Sequence, residues 1–524
     1  MSRRADSKKP APAPEARSRG PSPRSGGDAF VLTLFFMSGA SGLIYEVLFS
    51  RVLHLQMGST VYAITTVLTA FMGGLALGAF FAGKRASEIA HPVRAYAYCE
   101  LLIGGFALAV PLLLWMLTPI FRLLYGAIYS TFLAWSMVTF VLCALVLLPP
   151  TILMGATLPI LTEGLTRRGA LVGRSAGKLY AVNTLGAFAG ALLAGFVLIP
   201  NLGQIATLVV GVLINLSLFG LITRRYPAPV AGQPIAAAPP RSDEPSGFTD
   251  VAPAARTIVA AAYAANGFAA MLYQVGWTRA TALSLGSSTY TFSIIVSAFI
   301  FGLAIGAMAL ARFVDRLRHP LQTFAILEIG VGVSATLVLP IFGKLPIYAY
   351  DVIFKYQGSF GKLVLMELLM LFGLVAVPTL LMGALFPLST SILRGSGSGS
   401  RAVGVTYAVN TIGTILGAFT MGFFLIPYLG VEKSLLLASA CNVAFGCLAL
   451  AWPWPPTLVR GTAIAVLLVL LYPAHQMLPP WDKLLMTSGP YLLDPQFQKI
   501  MKQIEGAPGR RRRTRSSTSR TIRT

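Results

Sequence analysis

Apolar residues fill twelve long stretches of this chain, and polar residues collect in the short gaps between them. The first six stretches run near 30–50, 61–83, 96–118, 134–158, 180–200 and 205–223; six more run near 257–278, 290–311, 322–342, 363–386, 407–428 and 433–453. Each is close to the roughly 20 residues that a helix needs to cross about 30 Å of hydrocarbon. The pattern predicts membrane-spanning helices. A thirteenth apolar run, at 462–471, is short for a span. It either crosses with help from its flanks or lies at the interface.

The stretches form two matching sets. A shift of 228 residues lays Gly39 on Gly267, Tyr45 on Tyr273, Arg51 on Arg279, Phe71 on Phe299 and Glu100 on Glu328. "LMGATLP" from residue 153 falls on "LMGALFP" from residue 381, and after a one-residue slip "YAVNTLG" from 180 falls on "YAVNTIG" from 407. Matches in this order with one gap imply an internal duplication. An even number of spans per copy gives both copies the same orientation, related by an axis along the membrane normal. The expected fold is all-α integral membrane, with about 12–13 transmembrane helices in two tandem six-helix repeats, transporter-like.

Composition agrees. The chain is 55% hydrophobic and 11% charged, against about 25% charged in soluble domains, and its mean hydropathy is +0.72. A net charge of +23 first suggests nucleic acid. Basic residues in cytoplasmic loops explain it better, because they orient membrane helices. Lys84, Arg85 and Arg94, then Arg167, Arg168, Arg174 and Lys178, then Arg224 and Arg225, fall in alternate gaps. Arg312, Arg316, Arg318, Arg394 and Arg401 do the same in the second set, while Lys344, Lys355 and Lys362 go against the trend. The N-terminus is therefore expected in the cytoplasm and the chain in the inner (plasma) membrane. The lipid bilayer is the expected partner, with no nucleic acid.

The organisation follows: a basic tail expected to be disordered at 1–28, a first repeat at 29–226, a Pro-, Ala- and Ser-rich cytoplasmic linker at 227–256, a second repeat at 257–456, and an extra membrane segment at 457–480. Cys99, Cys143, Cys441 and Cys447 match no zinc or redox spacing and read as small packing residues. His54, His91, His319 and His475 form no ligand cluster, so neither a metal nor a cofactor is expected.

Candidate chemistry is sparse. "SGLIYEVLFSR" at 41–51 carries Tyr45 and Glu46, and "AAMLYQVGWTR" at 269–279 carries Tyr273 and Gln274. A carboxylate in hydrocarbon costs about 2.5–3.5 kcal/mol and must find a partner or water. Glu46 is placed near the outer end of its helix, facing another helix or an aqueous cavity. Arg51 is expected at the boundary, five residues on, a poor spacing for a helical pair. Asn183 and Asn410, with Tyr180 and Tyr407, open the fifth segments and are expected to bond across helices, cap a helix start or line a solute site. Glu100 and Glu328 are expected at the cytoplasmic interface, solvated or paired with Arg94 or Arg318. Pro149, Pro150, Pro159, Pro378 and Pro387 are expected to end or kink the fourth segments. Gly74 with Gly78, Gly302 with Gly306, Gly186 with Gly190 and Gly413 with Gly417 form small-xxx-small patterns that let helices approach closely.

The repeated blocks "YEVLFSR…MGSTVYA…FMGGLALGAF" and "YQVGWTR…LGSSTYT…FIFGLAIGAM" resemble the membrane part of the fused major-facilitator/spermidine-synthase family, over roughly residues 30–495. The resemblance implies a transporter-like portion followed by a domain similar to spermidine synthase, an aminopropyltransferase. "WDKLLMTSGPYLLDP" from residue 481 looks like the lead-in to that domain, with 481–508 as its remnant. Asp482, Asp494 and Glu505 are too few acids for its catalytic set, and no Gly-rich loop accompanies them. The catalytic domain is expected to be absent and the chain inactive alone as an enzyme; no catalytic residue is assigned. "GRRRRTRSSTSRTIRT" at 509–524 reads either as a basic tail for anionic lipid or as a change of reading frame. The expected function is a membrane module for polyamines or related small polar solutes. The alternative is an anchor or scaffold for an aminopropyltransferase, including one encoded separately.

Overall fold

A computed structural model of the chain describes residues 25–57, 61–128, 132–167, 172–227, 251–286, 289–356, 358–395, 398–451 and 480–489. All regular structure among them is helical. The helices are α1 (Ser25–Met57), α2 (Val61–Arg85), α3 (Pro92–Ile128), α4 (Phe132–Thr166), α5 (Val172–Leu192), α6 (Ile199–Arg225), α7 (Pro253–Leu285), α8 (Thr289–Ala311), α9 (Pro320–Gly343), α10 (Leu345–Tyr356), α11 (Phe360–Arg394), α12 (Gly399–Thr420), α13 (Ile426–Ala451) and the short α14 (Lys483–Met486). The thirteenth run at 462–471, the tail at 1–24, most of the linker (228–250) and residues 490–524 lie outside the described residues.

Ten continuous helical stretches are long and apolar enough to cross a membrane. Two of them, Arg174–Arg225 and Gly399–Ala451, have 52 and 53 residues, enough for two crossings each at 1.5 Å per residue. Each divides at matching places. α5 passes through a π-helical turn, Leu193–Leu198, into α6, and α12 passes through Met421–Leu425 into α13. Five residues after each turn ends, Gly203 and Gly430 bend the chain at φ 78°, a conformation open to glycine and costly for other residues. Large apolar side chains such as Trp115, Leu123, Ile205 and Tyr428 are exposed on the flanks, where lipid would meet them.

Three features differ from the sequence pattern. First, the helices outrun the apolar stretches: α3 has 37 residues and α4 and α11 have 35, because apolar composition marks the lipid depth and not where helical bonding stops. Secondly, Pro149, Pro150 and Pro159 lie inside α4, and Pro378 and Pro387 inside α11; none ends its helix. A proline in a packed membrane helix loses a bond that its surroundings can tolerate. Thirdly, the gap that carries Lys344 and Lys355 holds α10, twelve residues long and too short to cross.

Packing follows the glycines. Gly74 and Gly78 bring α2 onto α4 at Thr151 and Ile152, and Gly302 and Gly306 bring α8 onto α11 at Thr379 and Leu380. Gly186 and Gly190 lie against the α1 backbone at Phe36 and Ala40; Gly413 and Gly417 lie against the α7 backbone at Ala264 and Phe268. Two further pairs, α2 with α12 and α5 with α8, join the residues before the linker to those after it. These two pairs exchange under the sequence shift. Arg167, at the end of α4, pairs with Glu163 at 3.1 Å and donates to the carbonyls of Ser87 and Ile89 at 2.8 Å. It ties α4 to the turn between α2 and α3.

A methyl group on Gly306 would strike the Leu380 carbonyl, whereas one on Gly105 meets nothing within 4 Å. Gly306→Ala is expected to cost about 1–3 kcal/mol by overpacking, and Gly105→Ala to cost nothing. Thermal midpoints of the two purified variants in detergent check this.

Candidate functional site

α1, α2, α4 and α5 meet α7, α8, α11 and α12 around a cavity of about 220 Å³. Ligand pockets for drug-sized molecules run to about 300–1,000 Å³. This one suits a small solute, or about seven waters at roughly 30 Å³ each. Its wall is mixed: phenylalanine, methionine and leucine, interrupted by tyrosine hydroxyls, carboxamides and threonines.

Glu46 lines this cavity and is 4% exposed. It lies well inside α1, which continues to Met57, and not near the helix end that the apolar run suggested. No hydrogen bond or ion pair joins its carboxylate to another described residue. No Asp, Lys, Arg or His lies on the wall, so Glu46 is the one residue among the described lining that can carry a full charge near neutral pH. Gln274, its counterpart under the shift, lines the same cavity from α7. α1 packs on α5 and α6, and α7 on α12 and α13. The two helices are opposed walls, each backed by its own partners.

Asn183 and Asn410 also line the cavity. The Asn183 amide donates to the Phe35 carbonyl at 3.0 Å, and Asn410 lies over Gly267. Neither caps a helix, since α5 begins at Val172 and α12 at Gly399. Tyr180 and Tyr407 reach the cavity with them; the Tyr180 ring stacks on Phe386 at 4.2 Å between centroids. Tyr263, unremarkable in the sequence, completes this aromatic side.

Tyr45 and Tyr273 are placed elsewhere. Neither lines the cavity; both enter largely buried polar clusters beside it. The Tyr45 hydroxyl donates to Asn215 Oδ1 at 2.6 Å, and Asn215 Nδ2 donates to Glu100 Oε2 at 2.5 Å. Ser38 closes this cluster, donating to Glu100 Oε1 at 2.6 Å. On the other side Tyr273 donates to Asn442 Oδ1 at 3.1 Å, and Asn442 Nδ2 donates to Glu328 Oε1 at 2.8 Å and to Asn266 Oδ1 at 3.3 Å. Glu100 and Glu328 are each 0% exposed, so the interfacial placement is corrected. α3 and α9 begin at Pro92 and Pro320, two turns earlier, which sinks both carboxyl groups into the bundle. Asn215 and Asn442 were missed because they lie in otherwise apolar sixth segments. The signal existed: the 227-residue offset superimposes them.

Ser38 and Asn266 belong to both systems, since they also line the cavity. Glu100 and Glu328 thus lie one residue behind its wall. Among the described residues no three of His, Cys, Asp or Glu come together as a metal-ligand group. The four cysteines lie within helices and are unpaired.

No family model matches the chain. Among solved structures, a bacterial homologue of the iron transporter ferroportin in an outward-facing state superposes with a TM-score of 0.50 and 12% identity, over 84% of this chain and 99% of that one. The fold is transporter-like. The Escherichia coli fucose:proton symporter gives 0.49 with 13% identity, over 82% and 99%. Among curated proteins, polyamine aminopropyltransferase 1 of Streptomyces coelicolor is 27% identical over 184 residues, 34% of this chain and 30% of that protein. Polyamine aminopropyltransferase 1 of Ralstonia nicotianae is 24% identical over 202 residues, 38% of this chain and 35% of that protein. The match thus spans about a third of the length of these relatives.

In this transporter-like fold the polar clusters fasten α1 to α3 and α6, and α7 to α9 and α13. Asn442→Leu removes the donor to Glu328 and is expected to cost about 1–3 kcal/mol. The double variant Asn442→Leu/Glu328→Leu should recover most of it, since removing both partners spares the desolvation of either. Unfolding midpoints of the single and double variants check this.

Proposed function

We propose that this chain is a membrane module that binds and moves a small organic cation of the polyamine class. The observation that carries the reading is the lone Glu46 carboxylate in a cavity whose wall mixes apolar side chains with aromatic rings, carboxamides and threonines. An ionisable group inside a bundle is expensive to keep, and a water-filled or solute-filled pathway is the usual reason to keep it. An ammonium answers it directly: a compact cation for the carboxylate, with ring faces that attract it as well. The curated relatives are named for chemistry on polyamines, which narrows the organic cation further.

The architecture is consistent with the same reading. We take 29–226 and 257–456 as two copies of one six-helix unit joined by the linker at 227–256, with the solute site at their interface, where duplicated transporters place it. The basic residues collected at the end where α1 and α7 begin support a cytoplasmic side for that end, and with it the inner (plasma) membrane as the reading we adopt.

A second reading, an anchor for an aminopropyltransferase domain or a separately encoded synthase-like partner, draws on residues 480–489. These lie in the lead-in segment and pack on the bundle through Trp481. The readings part at Glu46, which an anchor does not need.

Glu46→Gln places at 46 the residue already tolerated at 274. It is expected to reduce putrescine counterflow in proteoliposomes by about 10–100-fold, from the roughly 1.5–3 kcal/mol of a charge-assisted bond, while the thermal midpoint holds. Unchanged flux in this variant would remove the carboxylate from the mechanism and favour the anchor.

A further inference from the structure

The cavity carries one acid and, at the position matched to it by the 228-residue shift, one amide. Glu46 on α1 and Gln274 on α7 occupy equivalent positions in opposed helices and line one cavity. One side offers a carboxylate. The other offers a carboxamide, which both donates and accepts hydrogen bonds but cannot neutralise a cation. Asn410 and Asn183 extend this neutral hydrogen-bonding lining, and no second acid is on the wall. Glu100 does not supply the missing charge, because its oxygens are engaged by Ser38 and Asn215. Glu328 lies behind Asn266, in the cluster of Asn442.

We propose that the site is built for a solute with one ammonium end and one neutral amide or hydroxyl end, such as a mono-N-acylated diamine, in preference to a free diamine. This refines the amine-site reading and rests on it. A diammonium placed here leaves one charge with no carboxylate beside it among the described lining, against neutral amides and apolar side chains, which is the costly arrangement for a buried ion. A mono-acyl diamine puts its ammonium on Glu46 and its amide against Gln274, where both partners of each hydrogen bond are present. Its methylene chain then lies along the Tyr180 and Phe386 rings.

The test is calorimetric binding of putrescine and N-acetylputrescine to the purified full chain, compared with Gln274→Glu and Glu46→Gln. N-acetylputrescine is expected to bind the native chain at least about tenfold more tightly. Gln274→Glu should reverse that order by giving the second ammonium its own carboxylate, and Glu46→Gln should weaken both ligands. Should Gln274→Glu fail to fold, the order in the native chain still decides. Equal or tighter binding of putrescine to the native chain, lost in Glu46→Gln, overturns the refinement and leaves the amine site standing. Binding of neither amine overturns both.

A separate observation concerns sidedness. Trp481 donates its indole N–H to the Leu339 carbonyl at 2.9 Å, and its backbone N–H to Glu432 Oε2 at 3.3 Å. Leu339 is near the end of α9 and Glu432 near the start of α13. From Glu432 to Ala451, where α13 ends, the helix rises about 28 Å at 1.5 Å per residue, close to the thickness of the hydrocarbon. Trp481 is therefore at the opposite end of the bundle from Ala451, and from the α2–α3 turn. We infer that residues 480–489 emerge on the membrane face opposite the one where α1 begins, so that whatever follows starts there. Single cysteines at the exposed Thr487 and Ser87 test it with a membrane-impermeant maleimide. In right-side-out and inverted vesicles the two should label in opposite preparations, and both should label in detergent. Labelling of both in one preparation overturns the inference, whichever way the chain is oriented.

Discussion

A lipid interior offers no hydrogen bonds, and the placement of polar side chains in this chain follows from that constraint. Many of the chain's interior polar side chains meet in three groups: two clusters around Glu100 and Glu328, and one cavity. In the clusters each polar residue meets another, so that Tyr45, Asn215 and Glu100, like Tyr273, Asn442 and Glu328, hold three helices each. In the cavity the rule is relaxed. The Glu46 carboxylate has no hydrogen bond or ion pair with another described residue, and it alone among the described lining can carry a full charge near neutral pH.

The clusters and the cavity are not independent. Ser38 and Asn266 face the cavity while bonded into the clusters. A solute that accepts a hydrogen bond from Ser38 competes with Glu100 for the same proton. Occupancy of the cavity is thereby tied to the packing of α3 against α1, and through Asn266 to that of α9 against α7. Networks of this kind are worth more, or less, than their separate bonds.

Much of the fold was legible because lipid imposes a simple code. Twenty apolar residues in a row have few alternatives, and glycines four apart have an evident use. The sequence also pointed to Glu46 and Gln274 as a pair that differs in charge between a matched tyrosine and a matched valine. What stayed hidden depended on depth. Glu100 looks interfacial when counted from the apolar run, yet α3 begins two turns before it; the helix start is set by Pro92, not by hydropathy. Asn215 looks like an isolated polar residue until Tyr45 and Glu100, distant in the chain, are seen beside it. α10 was invisible because its twelve residues mix Lys, Asp, Tyr and Ile as a connecting loop also would.

The seam between α2 and α12, and between α5 and α8, is made differently at its two ends. Where α2 ends and α12 begins, Gly83 lies against Gly404, and Gly177 lies against Ala311 where α5 begins and α8 ends. Toward the other end Phe196 stacks on Tyr290 with centroids 5.3 Å apart. Where Gly83 meets Gly404 main chain touches main chain, which no change of rotamer can ease, and Gly177 meets the short Ala311 side chain, whereas a pair of rings can swing aside. The seam is therefore expected to be stiffer at its glycine end than at its aromatic end, so that any parting of the halves would begin at the rings.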